Sequence, residues 1–154
     1  MNTCGTVRIP IHCSDGITEK IEAVHDRITQ RAYECWLNRR AAGQAIFEFW
    51  SAAERELLCK PVTEVREWGH GVRVEIACPE VEPSRIRLFM SRTELLALAP
   101  MNTPGHDRWL FRYVRFQNPL DHLDASAEYE NGALRIAATL LDAPDERKIH
   151  FQVA

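Results

Sequence analysis

The run Ala127-Glu128-Tyr129-Glu130-Asn131-Gly132-Ala133-Leu134-Arg135-Ile136 constrains this chain more than any other stretch, because it reads as strand, two-residue turn, strand. A type I′ turn needs φ > 0 at both central positions, which Gly adopts freely and Asn tolerates, so Asn131-Gly132 predicts a tight β-hairpin. The neighbouring chain keeps the same period. Val72-Arg73-Val74-Glu75-Ile76-Ala77-Cys78 alternates apolar and polar, the pattern of a half-buried strand, and Pro79 ends it by removing a ladder donor.

Before the hairpin stands a strand end, Arg115-Phe116-Gln117-Asn118-Pro119, and further upstream the segment from Pro79 through Val81, Pro83 and Ile86 to Leu88. Together with the Ala-x-x-x-Asn-Gly-x-Leu hairpin, these landmarks resemble, in order, the alpha-crystallin domain of small heat-shock proteins over about residues 62–141. The resemblance implies a mainly β fold: an immunoglobulin-like sandwich at residues 61–141 that holds partly unfolded client chains without ATP. It also implies a groove between the fourth strand, here about 85–91, and the hairpin strand, about 126–130. Ile86, Leu88 and Met90 line that groove if they face it, and otherwise fill the sandwich core. Members of the family often carry an Ile-x-Ile or Ile-x-Val motif near the C-terminus that plugs a neighbour's groove, which here leaves Ile149-x-Phe151 or Phe151-x-Val153 in the 142–154 extension, against an edge strand or a disordered end. Glu80, Asn118 and Val114 depart from the family pattern. The connection from Ala99 to Arg108 is too short for the swapped strand of bacterial and plant members, which points to a homodimer or small homo-oligomer rather than a cage.

Ahead of Pro61 the apolar period is helical. Ile17, Ile21, Val24, Ile28, Ala32, Cys35 and Trp36 predict one amphipathic helix, with Ser14, Asp15 or Thr18 as N-caps and a stop near Arg39-Arg40 and Gly43. A second helix carries Ile46, Phe49, Trp50, Ala53 and Leu57 on one face. Residues 17–60 thus read as a helical hairpin, preceded by a flexible N-terminus at 1–16. Its Ala32-Tyr33-x-x-Trp36 and Trp50-x-x-Ala53-Glu54 patterns resemble a short bacterial helical domain family of unknown function. Trp36, Phe47, Phe49 and Trp50 exceed what two helices bury by themselves, so some pack on the β domain, on a second copy or on a partner. The hairpin is thereby the expected oligomer contact, and removing residues 1–60 the expected way to reduce oligomer size.

The sequence offers little chemistry. It contains no Gly-rich phosphate loop, nucleophile elbow, paired-His zinc helix or Ca²⁺ loop, so we expect neither an enzyme nor a cofactor. Cys4, His12 and Cys13 form a Cys/His cluster without a fourth ligand at useful spacing. With 19 basic and 22 acidic residues among 154, and acids interleaved with the helical arginines, neither nucleic acid nor membrane is an expected partner. Five widely spaced cysteines and no signal-peptide pattern suit the cytoplasm. Two functions follow: a small heat-shock-type holdase using strand edges and hairpin, or a non-chaperone adaptor module built on the same sandwich.

Overall fold

The computed structural model describes residues 5–14, 16–39, 46–78, 81–102 and 108–141. Strands β9 (Leu120–Glu130) and β10 (Ala133–Leu140) run antiparallel about the expected turn, with Asn131 at φ 52° and Gly132 at φ 77°. β5 (Gly71–Ala77) pairs with the far side of β10, and β4 (Thr63–Trp68) pairs with β5. The two-residue strand β1 (Val7–Arg8) joins the free side of β9 and completes a first sheet in the order β1-β9-β10-β5-β4.

The second sheet is β2-β6-β7-β8-β3, built on β6 (Arg87–Met90), β7 (Glu94–Pro100) and β8 (Trp109–Arg115). At its margins β2 (Ile11–Cys13) lies parallel to β6, and β3 (Leu58–Cys59) lies parallel to β8. Both parallel strands come from outside residues 62–141, so the sandwich recruits the N-terminal region to finish its edges. Within the segment 1–16, which the sequence reads as a flexible N-terminus, residues 7–8 and 11–13 are sheet members.

Two apolar layers account for the patterning. Between the sheets lie Val72, Val74 and Ile76 of β5, Leu134, Ile136 and Leu140 of β10, and Leu88, Met90, Leu95 and Leu110 of the second sheet. Helices α1 (Ile17–Arg39) and α2 (Ile46–Leu57) cover the other face of the second sheet, where Ile17, Ile28, Ala32, Phe49 and Ala53 meet Phe89, Leu96 and Phe111. A sheet buried on both faces needs apolar side chains at successive positions instead of alternate ones. That is why β7 reads Leu95-Leu96-Ala97-Leu98-Ala99: the odd positions face the first sheet, while Leu96 and Leu98 face the helices. At the start of α1, Ser14 Oγ accepts from the Gly16 N–H at 2.9 Å, relieving a donor that the helix cannot satisfy.

Candidate functional site at the sandwich edge

β6 and β9 are the strands that the resemblance names as the walls of a groove, and one N-terminal segment closes the space between them. Val7 and Arg8 pair with Tyr129 and Glu128 of β9, and Ile11 to Cys13 pair with Leu88 to Met90 of β6. The segment changes sheets at Pro10. A proline at that point sacrifices no ladder bond to either neighbour, because its nitrogen carries no hydrogen and edge positions tolerate the loss. On either side the backbone is anchored, by the Ile9 N–H donating to the Ala127 carbonyl (3.0 Å) and the Ser14 N–H donating to the Met90 carbonyl (3.1 Å).

Ile9 is 4% exposed and belongs to the inter-sheet core, and Ile11 packs against the same cluster, so the pair closes the core where it would otherwise open to solvent. Ile9-Pro10-Ile11 therefore has the Ile-x-Ile spacing expected near the C-terminus, but at the other end of the chain and in the chain's own groove. The sequence signal was present in Val7-x-Ile9-x-Ile11, an alternation too short to read as a strand before the groove is known. The C-terminal candidates, Ile149-x-Phe151 and Phe151-x-Val153, lie outside the described residues.

The groove residues named from sequence take the second of their two readings. Ile86 is buried, and Leu88 and Met90 are 0% exposed; all three sit in the inter-sheet core together with Ile9. They are not an accessible surface while the N-terminal segment is in place, because strand alternation turns them inward and Ile11 lies beside Leu88 in register. Part of the aromatic surplus of the hairpin is taken up within the molecule. Phe49 is buried, and Trp36 and Trp50 pack against the helix-sheet cluster. Trp50 Nε1 donates to Thr29 Oγ1 at 3.1 Å, and His25 meets its ring edge-on at 6.0 Å. The side chain of Phe47 lies outside the described residues. Of the three partners the sequence left open for the hairpin aromatics, the β domain underneath receives Phe49 and part of Trp36 and Trp50.

That packing is incomplete. A cavity of about 250 Å³ lies between the hairpin and the sheet, lined by Val24, Ile28, Leu57, Phe89, Leu98 and Trp109. Lys20 Nζ stands 4.4 Å from the Phe89 ring centroid and the Arg27 guanidinium 5.7 Å from that of Trp109. Elsewhere Tyr129 Oη donates to the Cys78 carbonyl at 3.0 Å, and burial raises its pKa, tying β9 to the end of β5 beside the groove. Among the described residues no group of three or more His, Cys, Asp or Glu side chains could hold a metal ion. No helix among them is long and apolar enough to cross a membrane.

Among solved structures, the chain is similar to HSP18.5 from E. histolytica, with a TM-score of 0.50 and 14% identity over 56% of this chain and 93% of that one. It is equally similar to a small heat-shock protein from Xylella fastidiosa, with a TM-score of 0.50 and 15% identity over 56% of this chain and 91% of that one. No protein-family model matches the chain, helical hairpin included, and no curated protein matches it in sequence. At these identities the likeness is one of fold: a mainly β, two-sheet sandwich of the small heat-shock protein type.

Proposed function

We infer that this protein is a small heat-shock-type holdase of the cytoplasm, and that partly unfolded clients enter the β6/β9 groove when residues 5–14 leave it. The observation that carries the reading is the plug itself. Its strands have two and three residues, so few backbone bonds hold it, and the exposed side chains of Val7, Arg8, His12 and Cys13 add little apolar burial. Segments of this kind open locally at a fraction of the global unfolding free energy. An extended client with apolar residues at alternate positions can then offer the same main-chain bonds and fill the same two apolar sites. Such a mechanism needs reversibly exposed apolar surface and no aligned catalytic groups, in keeping with a non-enzymatic role. The sandwich fold it shares with small heat-shock proteins supports this reading over a dedicated adaptor.

The test is suppression of light scattering by a heat-aggregating enzyme, with wild type compared against the Ile9→Ser/Ile11→Ser double variant. Two serines weaken the plug without touching β6 or β9, so the variant should protect at lower molar ratio than wild type. If wild type gives no protection and instead retains one tight stoichiometric partner, the adaptor reading replaces this one. If both proteins protect equally, clients bind elsewhere.

A further inference from the structure

Strand β4 forms the outer margin of the first sheet, and its far side meets no strand among the described residues. It pairs with β5 in unbroken register from Thr63↔Ile76 to Trp68↔Gly71, yet every side chain from Glu64 to Trp68 is exposed. Val62, Val65 and Trp68 are 79%, 47% and 47% exposed. Of the devices that blunt an edge, Thr63–Trp68 lacks proline, lysine and a bulge against β5, and its charged residues, Glu64, Arg66 and Glu67, are of both signs, so that a copy in the right register can pair with them. The Ala77 N–H donates to the Val62 carbonyl at 3.0 Å. By the alternation of an antiparallel ladder, Val62, Glu64, Arg66 and Trp68 turn their backbone groups toward β5, leaving those of Thr63, Val65 and Glu67 aimed outward.

We propose that this edge pairs with the same edge of a second copy of the chain, antiparallel about a two-fold axis through Val65. Two-fold pairing must bring outward-facing residues opposite one another, so the axis has to pass through one position between 63 and 67. Centring on Glu64, Arg66 or Glu67 sets that charge against its own copy. Centring on Thr63 places Val62 against Glu64 and leaves most of the strand unpaired. With the axis at Val65 every pair is favourable: Glu64 faces the second copy's Arg66 twice, Val62 faces its Trp68 twice, Thr63 faces its Glu67, and Val65 meets Val65. The Glu64–Arg66 and Val62–Trp68 pairs fall at the non-hydrogen-bonded positions, where cross-strand side chains approach most closely. Hydrogen bonds run through Thr63, Val65 and Glu67, whose backbone groups the monomer leaves unused, and the two first sheets become one.

Sedimentation of the full chain at micromolar concentration tests this pairing. Wild type should sediment as a dimer, and Val65→Pro as a monomer with an unchanged circular dichroism spectrum, because the lost N–H serves no bond to β5. Glu64→Arg alone, or Arg66→Glu alone, turns two attractive contacts into two repulsive ones and should raise the dimer dissociation constant about tenfold or more. Combining the two should restore it. The exposed Arg66–Glu64 pair within one chain, at 3.7 Å, contributes too little to mimic such a swap. A monomeric wild type, a Val65→Pro protein that still dimerises, or a double variant as weak as the single ones would overturn the proposal, the last by excluding this register whatever else holds the copies together.

Discussion

Cys78 shows how far the surroundings of one side chain set its behaviour. It follows β5 with no exposed surface, and burial, with a smaller contribution from Cys59, pushes its thiol up to about 12. The thiolate is the reactive form, so native Cys78 should resist alkylation at neutral pH while the exposed Cys13 reacts, an ordering that peptide mass mapping reads directly. The same shift has a stability consequence. An unfolded chain releases the Cys78 proton near 9.0 and the native state holds it to about 12, so in that interval the native state binds more protons. Stability should be unaffected below that interval and fall as pH climbs through it. Tyr129, raised in the same direction, adds to the decline. A urea midpoint that drops between about pH 8 and about pH 10 checks the sign. A flat profile would mean that Cys78 is not sealed off.

At the scale of elements, the β9–β10 hairpin and the two-faced second sheet do different jobs. The hairpin fixes register across the first sheet, and the Gly132 carbonyl also accepts from the Cys78 N–H at 2.7 Å, so turn and β5 end are joined. Gly132→Val forces a β-branched residue to hold φ near 77°, which should destabilise the protein by about 1 kcal/mol or more, seen as a lower melting temperature. β7, by contrast, carries the load of two cores. Its inward residues serve the sandwich, and Leu96 and Leu98 serve the helices, so the hairpin is the third layer of the domain and not an appendage.

For the whole molecule this layering reverses what the sequence led one to expect of a truncation. Residues 1–60 include both helices, the groove plug and the parallel edge strand β3. Removing them uncovers Phe89, Leu96 and Phe111 on one face and opens the core at Ile86 and Leu88. The shortened protein should therefore associate into larger, polydisperse species in sedimentation, instead of the smaller oligomer that a hairpin-mediated contact implies. A monodisperse soluble fragment would show that the outer face of the second sheet does not need its cover.

Local chemistry decided much of the architecture from the sequence by itself. The Asn131-Gly132 turn, the alternation of β5, the period change near Pro61 and the long first helix each depend on residues close in the chain, where backbone preference and periodicity act directly. The walls of the groove were named only by the resemblance of the motifs in β6 and β9 to those of small heat-shock proteins, not by local preference or periodicity. What covers what was not legible. Whether Leu88 and Met90 face a groove or a core, where Phe49 packs, and that Ile9-Pro10-Ile11 closes the chain's own groove all depend on pairings between residues distant in sequence. Ile9 and Ala127, from opposite ends of the described chain, meet at one margin of the first sheet, and Phe49 finds Phe89 through a sheet that neither helix encodes. Short strands such as β1 and β2 carry almost no local signal, since two or three residues form a strand only where an open edge supplies their hydrogen bonds. That edge exists only once the two sheets have packed.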